Sequence, residues 1–447
     1  MTNIVPALAF SGPQDGCCRL RKLTFMEQVD VVIVGAGAAG LMAAIAAGER
    51  GAQVIVLDSQ QKIGAKILVA GGGRCNVTNE YVDASRFHGG SSSFIGRVLR
   101  AFNMEATHRF FERIGVQLKL EETGKYFPVT DSSRTVLNAL LNVVGQAGAN
   151  LVTEQPVTDI RPRPSTQERD AAAVEWEVQT PSNVWRAKAV VLCTGGLALP
   201  KSGSNGAGYG FATRLGHTLV PTTPALTPLL ATPTLHAGLS GITLPVRLQL
   251  KNGANKLAEY SNSFLFTHVG YSGPAALNLS RHVARERWMH PQAQVGLRLL
   301  PQVADGEEGR FWQELVRRES KKSVVNVIAE LLPRRVAETV LTEAKVPPAV
   351  ALGKLSPQQQ TGVRQALLDS PLPVSEVAGY TKAEATAGGI SLDEIEPATM
   401  MSRLVPGLFF AGEIMDVDGW LGGYNFQWAW SSGTVAGRAA ARFAARA

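Results

Sequence analysis

Val29-Asp30-Val31-Val32-Ile33-Val34 runs directly into Gly35-Ala36-Gly37-Ala38-Ala39-Gly40, and the order of these two hexapeptides decides the fold. The first is β-branched and nearly continuous, the pattern of a parallel strand covered on both faces. The second is a G-x-G-x-x-G turn. Gly35 permits the tight turn, Gly37 lets main chain approach a pyrophosphate, and Gly40 allows the next helix to lie close on the strand. Leu41–Arg50 is that helix, and its N-terminal N–H groups, beginning at Ala38 and Ala39, face the phosphates. Gln53–Leu57 reads as a second strand ending at Asp58, 58 − 40 = 18 residues beyond Gly40, where a carboxylate accepts from ribose hydroxyls and repels a 2′-phosphate. This order specifies a dinucleotide site, and the unit alone leaves FAD and NAD both open. The uncharged stretch Val31–Gly48 imitates a membrane span, but glycines stand at its centre and it falls short of the ~20 apolar residues a spanning helix needs.

Composition agrees with a large folded protein. Of 447 residues, 45% are hydrophobic and 18% charged, which excludes a largely disordered chain or a small disulfide scaffold, and the length allows one large domain or two to three ordinary ones. Four cysteines, Cys17, Cys18, Cys75 and Cys193, form no C-x-x-C pair and point to a reducing, cytoplasmic setting. The seven histidines are scattered, so no protein-ligated metal is expected. The charge of 44 − 37 = +7 is spread along the chain instead of clustered, so no stable nucleic-acid partner is expected. Residues 1–28 read as a flexible tail or a misassigned start, with Met1 and Met26 as alternative first residues, and they lack the organisation of a secretory signal.

Two further glycine-rich segments specify the cofactor. Gly64–Asn79 reads G-A-K-I-L-V-A-G-G-G-R-C-N-V-T-N; the run Gly71-Gly72-Gly73 with Arg74, Cys75 and Asn76 is costly in an ordinary helix or strand and suits main chain that touches a flat ring or a phosphate. Near the C-terminus, Leu408–Ala411 reads as a buried strand entering Gly412-Glu413, whose carboxylate suits ribityl hydroxyls. Gly422-Gly423-Tyr424-Asn425 then opens a helix whose N-terminus suits the electron-rich edge of a reduced flavin. Ala189–Leu192 supplies another strand, running into Cys193-Thr194-Gly195-Gly196. Lys66, Val157 and Asp416 are assigned to the same cofactor site. Gly206, Gly208 and Gly210 have the wrong spacing for a second one.

The segments G-A-G-A-A-G, G-G-G-R-C-N-V-T-N, F-T-H-V-G-Y-S-G-P-A-A-L, T-A-G-G-I and A-G-E-I-M-D-V-D-G-W-L-G-G-Y-N resemble the three-domain bacterial NAD(P)/FAD-dependent oxidoreductase family, which includes the BaiN-like and aminoacetone-oxidase-like flavoproteins and is more distantly similar to fumarate reductase flavoproteins. The resemblance runs from Val29 to the C-terminus. It implies non-covalent FAD and no separate NAD domain, so NADH or NADPH would act as a transient electron donor. The chain carries Asp58 where Glu is commoner in FAD proteins, and about Gln302–Leu372 the match is loose.

The expected fold is α/β: a Rossmann-like FAD-binding domain (29–217 and 386–447), an inserted β-barrel-like domain (218–301 and 373–385) and a small helical subdomain (302–372). Val246–Leu250 and Ser263–His268 alternate as strands; Val324–Leu332 and Gln358–Leu368 are periodic as helices. His268 and Tyr271, beside each other in F-T-H-V-G-Y-S-G-P, are candidates for substrate contact or proton transfer, because an imidazole titrates near neutral pH. Cys75 is a candidate reactive thiol if its pKa is depressed. The expected function is an FAD-dependent oxidoreductase that passes a hydride through flavin N5, with NAD(P)H-linked reduction of a small organic substrate as the leading form. An amine oxidase using O₂ and a non-catalytic, RNA-associated flavoprotein are the alternatives. Oligomeric state is left open.

Overall fold

The computed structural model describes residues 25–164 and 174–447. The decisive hexapeptides fold as expected into β1 (Phe25–Val34), α1 (Ala38–Gly48) and β2 (Val54–Leu57). β1 starts earlier than the expected boundary because Phe25–Gln28 continue its pairing, in parallel, with Asn183–Arg186. Met26 therefore lies within the strand. The remainder of the expected tail, residues 1–24, lies outside the described residues, as do Cys17 and Cys18.

β1 is central in a seven-stranded sheet. On one side lies β2 and then Asn150–Val152, both parallel. On the other lies Asn183–Leu192, also parallel. That last strand divides its far edge: Val184–Ala187 pair antiparallel with Trp176–Gln179, and Val190–Leu192 pair in parallel with Leu408–Phe410. Burial on both faces explains the continuous apolar runs: Val31, Val32 and Ile33 are wholly buried, and every residue of β2 is buried.

α1 is alanine-rich for a packing reason. Its residues Ala39–Ala47 are buried all round, and the C-terminal helix Tyr424–Ala444, 21 residues long, lies against it. Gly433 and Gly437 make the approach possible, since a Cβ at either would run into the carbonyl oxygen of Ala39 or Ala43. Trp428 and Trp430, on the same helix, are almost wholly buried. Trp428 Nε1 donates to Gly412 O at 3.2 Å and Trp430 Nε1 donates to Val77 O at 2.9 Å, so each indole packs and is satisfied at once.

The chain leaves this domain through Leu219–Ala225 and returns through Ala385–Ile390, which pair antiparallel. Between them, seven strands follow the path Ser370–Leu372, Gln294–Arg298, Thr243–Asn252, Asn255–Phe266, Gly270–Ser272, Leu229–Ala231, Val374–Val377. The strands at the two ends of this path are consecutive in sequence, separated by Pro373 alone, so the sheet curls back on itself like a barrel. One helix in this region, Gly273–Met289, was not foreseen. The helices Glu308–Glu319, Val324–Ala329, Arg334–Glu343 and Pro357–Leu368 have no core of their own. Trp312, Val327, Leu341 and Leu367 share one apolar cluster with Leu248, Phe264 and Val295 of the sheet, because helices this short need a partner surface to bury their apolar faces.

Among the described residues no helix is long and apolar enough to cross a membrane.

Candidate active site

A cavity of about 840 Å³ opens between the nucleotide-binding turn and the inserted domain. Its floor is built by the glycine turn. Asp58 accepts from Ala36 N–H at 2.7 Å with one carboxylate oxygen and from Gln60 N–H at 2.8 Å with the other, which ties the end of β2 to the turn after β1. Gly37 borders the cavity with nothing within 4 Å of where a Cβ would stand, while a Cβ at Gly40 would strike Gly35 O. The two glycines thus act differently: Gly40 serves the packing of the turn, and Gly37 keeps the main chain approachable.

Gly64–Asn79 forms a second wall. Ala65–Gly73 is a helix that breaks at Ala70–Gly72, where Gly71 and Gly72 take left-handed conformations (φ 57° and 70°). Arg74 turns to the rim: its guanidinium lies 3.9 Å from the Phe127 ring centre and NH1 lies 2.6 Å from Glu121. The Asn76 amide is satisfied when it donates to Thr78 O at 2.9 Å and accepts from Gly423 N–H at 3.0 Å, so it holds the start of the C-terminal helix. Lys66 Nζ lies 2.6 Å from Glu413 Oε2, and the other Glu413 oxygen accepts from Thr386 N–H at 2.9 Å. The Asn425 amide bonds both ways with the Gly419 backbone, at 2.8 and 3.0 Å.

Most residues expected at the cofactor line this cavity: Gly35, Gly37, Ala38, Ala39, Asp58, Lys66, Gly72, Arg74, Asn76, Val157, Thr194, Gly195, Gly412, Glu413, Gly422, Gly423 and Asn425. Gly40, Gly73, Cys75, Gly196, Asp416 and Tyr424 lie outside its lining. Tyr424 packs edge-on against Phe87, 5.9 Å between ring centres. Asp416 is buried toward the inserted domain, 4.0 Å from Arg285, and burial raises its pKa.

None of the three candidate catalytic side chains reaches the cavity. His268 is exposed in the turn between Asn255–Phe266 and Gly270–Ser272. Tyr271 is buried within the inserted domain, its hydroxyl 2.6 Å from His236 Nδ1, and burial raises its pKa. Cys75 is wholly buried and its thiol is pushed up to about 12 by that burial, the opposite of a poised nucleophile.

Among the side chains of the wall that were not singled out from sequence are Lys125, Leu226, Lys382, Glu384, Trp420 and Leu421. Trp420 is fixed from behind. Its indole N–H donates to His88 Nε2 at 3.2 Å, and the Tyr260 hydroxyl lies 3.1 Å from both His88 Nε2 and His282 Nε2. An indole only donates, so His88 Nε2 is the acceptor and His88 is neutral. Burial, reinforced by Arg281, brings both imidazoles down to about 3. Beside them Arg281 makes a two-pronged ion pair with Asp418, at 2.7 and 3.1 Å.

Residues 29–439 match the HI0933-like protein Rossmann domain. The chain belongs to the HI0933-like family. It is an FAD-dependent oxidoreductase, as the glycine turn, the Asp58 carboxylate and the second glycine-bounded helix N-terminus led us to expect. Over 92% of the chain and 98% of the relative it is 31% identical to a 3-dehydro-bile acid delta(4,6)-reductase of Clostridium scindens. It is also 32% identical to ribosomal RNA dihydrouridine synthases of Escherichia coli, over 91% of the chain and 96% of the relative, and of Haemophilus influenzae, over 90% and 96%. A 3-ketosteroid-delta4-(5alpha)-dehydrogenase of Rhodococcus jostii overlaps loosely, at TM-score 0.48 and 16% identity, over 94% of this chain and 99% of that one.

Proposed function

We propose that the protein uses FAD, with NADH or NADPH as the electron source, to saturate a carbon–carbon double bond conjugated to a carbonyl, and that its substrate is a uridine in ribosomal RNA. The names of the relatives describe that reaction type on two scaffolds, the dienone of a 3-oxo bile acid and the uracil ring. The observation that carries the reading is the single cavity bordered both by the open Gly37 turn and by Trp420, Lys125 and Glu384. It has room for a cofactor at one wall and a flat substrate ring at another.

FAD fits the residues present. The unobstructed Gly37 and the first amides of α1 suit its pyrophosphate, and Asp58, fixed by two amides, keeps further lone pairs for ribose hydroxyls. When bound, FAD supplies hydride transfer at N5. The Lys66–Glu413 pair supports the ribityl region, and the Gly423 end of the C-terminal helix offers the positive end of a dipole to the flavin's electron-rich edge. Trp420, immobilised by His88, gives the substrate a flat face for stacking, which is sequence-tolerant and strong for bases.

RNA is favoured over a steroid by charge. Lys125 and Lys382 border the cavity, and no ion pair among the described residues engages either, whereas Lys66 is paired. The apolar wall of Leu226, Trp420 and Leu421 favours the steroid as second reading.

Anaerobic incubation with NADH or NADPH, in parallel with ribosomal RNA lacking dihydrouridine and with a 3-oxo-Δ4,6 steroid, tests the proposal through the mass gained. Two hydrogens added to a uridine support it. Reduction of the steroid alone transfers the substrate to the second reading, and reduction of neither overturns both.

A further inference from the structure

We infer that Glu384 is the proton donor of this site, delivering a proton to the substrate carbon next to the carbonyl; the inference rests on the reductive reading above. Saturating a conjugated double bond needs a hydride at one carbon and a proton at the other, so an acid must stand in the cavity with a proton to give.

Elimination among the lining residues leads to Glu384. Among the described residues three carboxylates border the cavity: Asp58, Glu384 and Glu413. Asp58 is held by two backbone amides, and Glu413 by Lys66 and the Thr386 amide. Both are engaged by donors and built into the scaffold. The Glu384 carboxyl makes no hydrogen bond or ion pair to any described residue. Among the described residues no histidine or tyrosine lines the cavity, and the one cysteine that does, Cys193, is buried at the end of its strand, where burial raises its thiol pKa.

The backbone of Glu384 is anchored. Its N–H donates to Leu226 O at 3.1 Å, and it immediately precedes the strand Ala385–Ile390, whose Ala385 and Thr386 are buried. The side chain borders the cavity and is solvent-exposed there. Desolvation beside the cavity wall raises its pKa, and Lys125 opposes the rise. Lys125 stands beside the flavin end of the cavity: a Cβ on Gly422 would lie 3.7 Å from its Cε.

The step balances without a further reactant. The carbon distal to the carbonyl receives the hydride, whose two electrons derive from NADH or NADPH; the π electrons of the double bond form a C–H bond at the proximal carbon with the Glu384 proton; the O–H bond breaks, and water reprotonates the carboxylate. Lys62, Lys66, Arg74, Lys125 and Lys382 are the cations that line the same cavity among the described residues, with Lys66 paired to Glu413 and Arg74 to Glu121.

The test compares the holoprotein with Glu384→Gln and Glu384→Asp. In Glu384→Gln, NADH or NADPH should bleach the flavin at the wild-type rate while substrate reduction falls about 100-fold or more. Glu384→Asp should recover part of it. Wild-type reduction should decline as pH rises through the ionisation of this carboxyl, and that limb should vanish in Glu384→Gln. Undiminished reduction by Glu384→Gln overturns the inference. A second readout needs no turnover: the visible flavin band of the substrate-free wild type should shift with pH, and that shift should be absent from Glu384→Gln. Identical titrations of the two proteins overturn the placement of the acid. A wild type that reduces neither RNA nor steroid contradicts the proposed function instead, and the band titration still judges Glu384.

Discussion

Asp58 Oδ2 accepts the Ala36 N–H at 2.7 Å, so the carboxylate that closes β2 also locks the turn that follows β1. A residue recognisable as a ribose ligand is therefore part of the apoprotein's architecture. Asp58→Ala should lower stability by about 1.5–3 kcal/mol, the range for hydrogen bonds to a charged group, and also weaken FAD retention. Chemical denaturation of the apoprotein and the visible spectrum of the purified protein measure the two effects separately. Loss of cofactor with unchanged stability would reduce Asp58 to a ligand.

The glycines of the turn should separate in the same way. Gly37→Val places its side chain in the cavity, where nothing obstructs it, so the protein should fold with near-normal stability and fail to hold FAD. Gly40→Ala drives a Cβ into Gly35 O and should destabilise the fold itself. Thermal unfolding of the two apoproteins, beside their flavin content, checks the contrast.

This division was legible in sequence because the spacing of Gly35, Gly37 and Gly40 is local and its geometry is fixed by a single turn. The helix Gly273–Met289 was not, for a physical reason. Arg281 and Arg285 face Asp418 and Asp416 of the other domain, and an inward polar face looks like a solvent face until its partners, more than a hundred residues away, are known. Residue type drew attention to His268 and Tyr271. Packing put one in an exposed turn and the other in the insert's core. Glu384 adjoins the quoted T-A-G-G-I segment, yet only the convergence of Lys125, Leu226, Trp420 and Leu421 around it makes a cavity.

Cys75 should be chemically silent. With its thiol at about 12, the thiolate fraction near neutral pH is negligible. Native protein should resist iodoacetamide at this position by mass spectrometry, and Cys75→Ala should retain FAD and substrate reduction. Rapid native alkylation would refute the burial argument.

Arg281 and Asp418 join the two domains in a largely buried pair, 12% and 2% exposed. Asp418→Ala leaves a guanidinium without its partner and should cost about 3–5 kcal/mol, read by denaturation. Replacement by the neutral isostere, Asp418→Asn, should recover part of that loss.

Acid should weaken the same interface. His88 and His282 titrate in the folded protein at about 3, below the ~6.5 of an unfolded chain. Above ~6.5 both states are neutral and the shift contributes nothing. As pH falls from ~6.5 toward 3, the unfolded chain takes up protons that the folded one refuses, and stability drops by up to about 1.4 kcal/mol per pH unit for each imidazole. Unfolding midpoints between these pH values should fall more steeply in the wild type than in a His88→Gln, His282→Gln double variant.

The most direct measurement follows the flavin through one cycle. The purified protein should show a flavin band that NADH or NADPH bleaches under anaerobic conditions, and addition of ribosomal RNA lacking dihydrouridine should restore the band as one uridine gains two hydrogens. A bleached band that this RNA leaves unchanged, or a flavin that neither nucleotide reduces, would contradict the reading of the site as a uridine-reducing centre.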